Sequence, residues 1–173
     1  FHLKSLMLWI KRLYISLLKL SNYKWVVQTN LMKDKLVKHL KISKNSIKIF
    51  PIFPKIKKVN NFSGPTEKFI YVASGEDHKN HRRLLNAMNV TSNKLDKPIH
   101  LYLTLTENKF KNLIKKNHSD NSKLVVKNLG VLKQDMLYEK YSELGYLIYP
   151  SLYESFGLPL IEAAQLGLVI LAS

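Results

Sequence analysis

The chain has 173 residues, 46% of them hydrophobic, with a net charge of +16 and no cysteine. That length gives one domain and is too short for two full ones. The lack of cysteine excludes disulfides and every Cys-based metal or redox site. The excess of positive charge favours anionic partners or reflects a lysine-rich composition, the lysines being spread along the chain. No zinc-finger spacing, RNP-type sequence or basic zipper accompanies it, so we expect no nucleic-acid partner.

The chain starts at Phe1 and stops at Ser173, directly after the apolar run Leu168-Val-Ile-Leu-Ala172. Domains rarely end on a core strand, and we expect one or both ends to be missing. The first segment, Phe1 to Leu20, is apolar but interrupted by Lys4, Lys11, Arg12 and Lys19. These charges argue against a spanning helix and a signal peptide. Two readings stay open, a core-packed helix and a helix lying on an anionic membrane surface.

Trp25-Val-Val-Gln-Thr29 predicts a strand, Leu31 to Leu40 a helix, and Ile47 to Phe50 another strand. Pro51-Ile-Phe-Pro54 and the polar stretch to Gly64-Pro65 follow, and neither suits a helix interior or a central strand. We therefore divide the chain into the end of one α/β domain at 1–50, a linker at 51–67 and a second domain at 68–173. In the second domain strands are expected at 69–73, 99–105, 123–126, 147–149 and 169–171. Helices at 80–90, 110–116, 136–141 and 159–166 fill the gaps. Alternation of this kind implies right-handed crossovers and a Rossmann-like parallel sheet covered by helices, and the nearly continuous apolar strands fit burial on both faces. Ligands of such sheets bind beyond the carboxyl ends of the strands, which directs attention to the loops after Ala73, Thr104, Val126 and Tyr149.

The first of these loops is Ser74-Gly-Glu-Asp-His-Lys-Asn80. Lys79 beside a helix start offers a point charge and oriented N–H donors, as a diphosphate needs, although a solvated lysine in a polar turn accounts for it as well. The loop is neither a Walker A sequence nor a Gly-x-Gly-x-x-Gly turn. His78 and His81 have a spacing that shares a helix face, but no third ligand is evident, and no metal site is assigned.

The most informative loop follows the fourth strand: Glu154-Ser-Phe-Gly-Leu-Pro-Leu-Ile-Glu162. Pro159 suits a first helical turn, which places Glu162 in that same turn near the positive helix end. Gly157 lets a ligand approach the backbone closely. A turn and a proline separate the two glutamates, so they are expected to touch different parts of one ligand rather than to act as a hydrolase pair.

Glu154-x7-Glu162 enclosing Phe-Gly-Leu-Pro, preceded by Tyr149-Pro-Ser and followed by Ala-Ala-x-x-Gly, resembles the signature of retaining GT-B glycosyltransferases of family 4. Phe69 to Asn80 is similar to that family's first C-domain strand and basic loop. Asn128-Leu-Gly130 resembles its turn beside the nucleobase, and Val26 to Thr29 with Ile47 to Pro54 resemble its last N-domain strands and linker. The resemblance implies an incomplete GT-B C-terminal domain preceded by the end of the N-terminal, acceptor-binding one. It further implies transfer of a hexose, with mannose as a lead, from a nucleotide-diphosphate sugar to a polysaccharide or lipid-linked acceptor with retention. Surface polysaccharide synthesis such as that of lipopolysaccharide O-antigen is the setting, at the cytoplasmic face of the membrane. Glu154 would face the donor sugar as the catalytic candidate, and Glu162 would bind the ribose hydroxyls. Ser155, Phe156, Gly157 and Leu158 would line the sugar and phosphate region. Lys79 would meet the diphosphate, Val131 and Leu132 would border the base, and Ser74 counts among the donor-binding residues. No cofactor and no metal are implied. Where many members carry Gly-Arg this chain has Ala73-Ser74, and His78 and Arg82 are the candidates to replace the missing cation. With the acceptor side incomplete, residues 1–173 by themselves are expected to be inactive. A non-catalytic nucleotide-binding remnant or interaction module is the alternative.

Overall fold

A computed structural model describes residues 2–51, 66–117, 123–154 and 156–173, with only the backbone of residues 2–5. Most of the expected linker, and Ser155, lie outside the described residues. The chain forms two compact units, Phe1–Ile52 and Phe53–Ser173.

The first unit opens with helix α1 (His2–Lys19), continues through strand β1 (Trp25–Val27) and helix α2 (Asn30–Leu40), and ends on strand β2 (Ile47–Ile49). Thr29 starts α2 in extended backbone, its hydroxyl accepting from the Met32 amide at 3.1 Å, as an N-cap does. The two strands pair in parallel, Trp25 opposite Ile47 and Val27 opposite Ile49. α2 packs over them, and Val27, Ile42 and Ile47 make a small core with Met32, Leu36 and Val37. Helix α1 buries little within this chain: Ile15 and Leu18 are half-buried, while Trp9, Ile10, Leu13, Tyr14 and Leu17 are exposed. No helix among the described residues is long and apolar enough to cross a membrane.

The second unit runs β3 (Lys68–Tyr71), α3 (His81–Asn93), β4 (Ile99–Leu103), α4 (Glu107–Asn117), β5 (Leu124–Asn128), α5 (Gln134–Leu144), β6 (Tyr146–Tyr149), α6 (Leu158–Gln165) and β7 (Val169–Ala172). All four strand pairings are parallel, in the order β5-β4-β3-β6-β7. The alternation of elements is the one the apolar runs predict. Ile70, Tyr71, Leu101, Leu103 and Leu147 are wholly buried, as strands covered on both faces require.

The strand order places the site. From β3 the chain winds outward through β4 to β5, then returns across the sheet to β6 on the other side of β3. This reversal is a topological switch point, where the loops leaving the two central strands diverge and open a crevice. The right-handed crossover rule puts α3 and α4 on one face and α5 and α6 on the other. The loops after β3 and β6 therefore lie side by side, although about 75 residues of sequence separate Lys79 from Glu154.

Two local features differ from expectation. A short 3-10 turn at Asp77–Lys79 precedes α3, whose first residue is His81, and Asn80 takes a left-handed conformation between them (φ 61°). Asparagine tolerates that region better than most residues because its short polar side chain can bond locally. Helix α6 begins at Leu158 rather than at Pro159, because Gly157 has already turned the chain with φ 75°. Glu162 consequently sits in the second turn, not the first, and the helix dipole does not account for it.

Candidate functional site

The two loops at the switch point are sewn together by hydrogen bonds from both sides. The Asn80 side-chain amide donates to the Pro150 carbonyl at 3.1 Å, and the Leu152 amide donates to the His78 carbonyl at 2.9 Å. From below, the Tyr71 hydroxyl donates to the Lys79 carbonyl at 2.7 Å and lies 2.8 Å from Ser151 Oγ. Burial pushes the Tyr71 phenol up to about 12, so it stays a proton donor at neutral pH.

Across this seam Lys79 Nζ donates to Glu154 Oε1 at 2.6 Å. Both side chains are largely shielded, 16% and 22% exposed, so the pair is screened less than a surface ion pair. Burial is the largest influence on Glu154 and acts to raise its pKa. Hydrogen bonds from Lys79, Ser151 and Tyr149 together outweigh it and hold the carboxyl below its ordinary value. The Glu154 carboxylate is thus ionised at neutral pH. The sequence reading assigned these residues to different parts of a ligand, and in this structure they satisfy each other.

Gly157, the N-cap of α6, adopts a backbone that residues with a side chain rarely take, and a Cβ there would stand 3.2 Å from Leu160 Cδ1. The amides that follow it belong to the helix start, where N–H groups lack partners within the helix. Phe156 is half-buried and Leu158 is 38% exposed.

A crevice of about 330 Å³ brings together Ser74, Val131 and Leu132, with Thr104, Thr106 and Lys109 on its wall. Lys109 was not singled out from sequence. Its ammonium donates to the Gly75 carbonyl at 3.0 Å, and a Cβ on Gly75 would come within 2.7 Å of Lys109 Cδ. The available signal was its place just after the β4 loop, at a carboxyl strand end. Asn128 shapes the same end of the sheet: its side chain accepts from the Leu105 amide at 3.1 Å and donates to the Leu105 carbonyl at 3.0 Å.

Glu162 is not among the residues lining this crevice. It is buried between α6 and α5, with the Tyr138 hydroxyl 3.5 Å from Oε1 and the Tyr141 hydroxyl 3.4 Å from Oε2. Burial raises its pKa above the ordinary carboxylate value, and the two phenols offset this only in part. Two groups of expected residues, Lys79 with Glu154 and Ser74 with Val131 and Leu132, are thus assembled, and Glu162 stands apart from both.

The residues proposed to replace a missing cation, His78 and Arg82, neither join the Lys79–Glu154 pair nor line the crevice itself. His78 stacks on Tyr153, ring centroids 4.6 Å apart. Arg82 lines an adjoining cavity of about 340 Å³ with His81 and Arg83, which shares Gly75, Glu76 and Lys109 with the crevice. Among the described residues no group of three His, Asp or Glu side chains could hold a metal ion.

His81 packs against the Tyr71 ring at 4.8 Å, and burial pushes its pKa down to about 4. Its sign is that of a histidine held neutral: as pH falls below the unfolded value of 6.5, the unfolded chain takes up the proton first. Urea unfolding of the wild type is expected to lose stability between pH 6.5 and 4, and His81→Phe is expected to flatten that slope.

A family model described as glycosyl transferases group 1 matches residues 52–173. No curated protein matches the sequence. Among solved structures, TarM superposes with a TM-score of 0.65 at 18% identity, over 86% of this chain and 29% of its own. The pneumococcal O-GlcNAc transferase GtfA, in complex with UDP and GlcNAc, gives 0.62 at 21% identity, over 85% of this chain and 29% of its own. The apo form of the lipopolysaccharide outer core galactosyltransferase WaaB gives 0.58 at 16% identity, over 88% and 43%. At such identities the likeness is one of fold, and the chain spans less than half the length of each of these structures.

Proposed function

The chain belongs to the group 1 glycosyl transferases, and from that premise we propose that its second unit binds the nucleotide-diphosphate sugar donor of a retaining hexosyltransferase. The Lys79–Glu154 pair at the switch point is the observation that carries this reading. Breaking the bond between the sugar's anomeric carbon and the diphosphate leaves negative charge on the phosphate. A shielded lysine fixed at a strand end is where such charge is stabilised. Glu154, held ionised, faces the sugar side near the reacting carbon. Gly157 and Leu158 present helix-start amides to the sugar and phosphate, with Phe156 and Ser155 beside them. Ser74 meets the diphosphate, Val131 and Leu132 border the base, and Glu162 accepts from the ribose hydroxyls. No cofactor or metal enters this scheme.

The sugar is a hexose, with mannose first on the list to test and N-acetylglucosamine and galactose next, the last two being named for similar structures. The acceptor is a polysaccharide or a lipid-linked glycan at the cytoplasmic face of a membrane. Helix α1 supports that location, since exposed Trp9, Ile10, Leu13 and Leu17 accompany Lys11, Arg12 and Lys19, a composition suited to an anionic surface.

The test is calorimetric titration of the chain with uridine and guanosine diphosphate sugars, repeated on Lys79→Ala. Saturable binding by one of them, weakened by the substitution, is expected. No binding by the wild type at millimolar ligand overturns the donor-site reading and leaves an interaction module.

A further inference from the structure

Glu162 is buried between α5 and α6 with two phenols, Tyr138 and Tyr141, that have no role in the site so far. Tyr138 and Tyr141 are one helical turn apart on α5 and so project from the same face. Glu162 meets them from α6, and the three are 5%, 0% and 7% exposed. Each phenol takes a different carboxylate oxygen, at 3.5 and 3.4 Å. Among the described residues Glu162 makes no ion pair. Phe156 to Leu158 lead into the helix that carries it, and α5 starts directly after the loop holding Val131 and Leu132.

A carboxylate buried without a cation is costly unless hydrogen bonds compensate. Two long bonds to neutral phenols do so poorly. An ionised carboxylate has about four acceptor positions, and the two phenols take one on each oxygen. A structural carboxylate would be saturated by a guanidinium or by several amides. One left half-engaged suits a neutral ligand that brings two donors of its own. An anion would be repelled by the carboxylate.

We infer that Tyr138 and Tyr141 are positioning residues for Glu162, fixing one carboxylate oxygen each so that the remaining lone pairs accept from the vicinal diol of a nucleotide ribose. This rests on the donor-site reading above. The link extends further: Gln134, the first residue of α5, contacts the Tyr138 hydroxyl through its side-chain amide. Gln134 closes the 130–133 loop whose Val131 and Leu132 line the crevice, so that loop leads directly into the helix whose tyrosines meet Glu162. The titratable groups facing Glu162 are Tyr138 and Tyr141, with Tyr149 of β6 beyond Tyr141.

The test compares uridine or guanosine diphosphate, whichever the wild type binds, with its 2′,3′-dideoxy counterpart. The variants are Tyr138→Phe and Tyr141→Phe, which each remove one oxygen. The wild type is expected to prefer the ribose form by about tenfold or more, since hydroxyls donated to a charged group make the stronger class of hydrogen bond. Each variant is expected to reduce that preference by about threefold or more, and the acid limb of nucleotide binding should move to higher pH, because losing a donor to the ionised form raises the carboxyl pKa. Tyr138 lies at the edge of the cluster, so its variant serves if the fully buried Tyr141→Phe fails to fold. A wild type that prefers ribose and phenylalanine variants that keep the whole preference, or weaken both ligands equally, overturn the inference and leave the donor-site reading standing. A wild type indifferent to the diol overturns the ribose role of Glu162 itself, and the inference with it.

Discussion

Glu162→Gln is expected to weaken binding of a nucleoside diphosphate by on the order of 10- to 100-fold while leaving the fold intact or more stable. Each hydroxyl donated to an ionised carboxylate is worth about 1.5–3 kcal/mol, against about 1 kcal/mol for a neutral amide acceptor. The amide also turns one of two acceptor oxygens into a donor, which opposes one hydroxyl of a diol and one of the two phenols. The stability effect runs the other way. Burial raises the Glu162 pKa above the ordinary 4.5, so its neutral form is the one the fold favours. Below 4.5 the group is protonated in both states and its contribution is complete. As pH rises, the unfolded chain releases the proton first, and the contribution is lost through the raised folded value. Urea midpoints of the wild type relative to Glu162→Gln should therefore fall as pH rises from 4.5. A variant that binds nucleotide like the wild type, or whose relative stability rises along the same pH series, refutes this role for the carboxylate.

The strands of the second unit were legible because a sheet covered on both faces needs nearly continuous apolar runs, and Phe69 to Ala73 or Ile99 to Leu105 read as nothing else. Their order was not. Periodicity along the chain says which residues are buried, but not on which side of β3 the chain returns, and that return puts Lys79 against Glu154. Each of these residues was singled out by its loop, and their pairing depends on the topology. The helix boundary at α6 was misplaced by one residue because Pro159 fits either of the first two helical positions, whereas the positive φ of Gly157, which starts the turn, is a backbone property that sequence only permits. Tyr138 and Tyr141 looked like ordinary members of a helical face. That their hydroxyls converge on Glu162 follows from α5 and α6 lying on one side of the sheet. Lys109 read as one more lysine among 28 basic residues, and its stem settles across Gly75 only because that residue has no side chain.

Lys79→Ala and Glu154→Gln are expected to part binding from turnover in opposite ways. The ammonium is paired with the carboxylate at 2.6 Å, so an incoming diphosphate competes with Glu154 for it. Lys79→Ala removes the cation and leaves a shielded carboxylate facing the phosphate, so nucleoside diphosphate affinity should fall by about tenfold or more, the cost of losing a charged hydrogen bond. Glu154→Gln removes the competitor and keeps the shape. The same ligand should bind at least as tightly as to the wild type, and its affinity should decline more steeply with salt because an unpaired cation now meets it. In a longer form of the protein that transfers sugar, Glu154→Gln should nonetheless lower transfer, on the order of 100-fold, if the carboxylate acts only as charge develops at the anomeric carbon. The free nucleoside, lacking phosphate, should bind both variants like the wild type. If Glu154→Gln loses nucleoside diphosphate affinity as Lys79→Ala does, the ion pair is a support for the loop seam made by Asn80 and Leu152, and the two residues do not divide the donor between them.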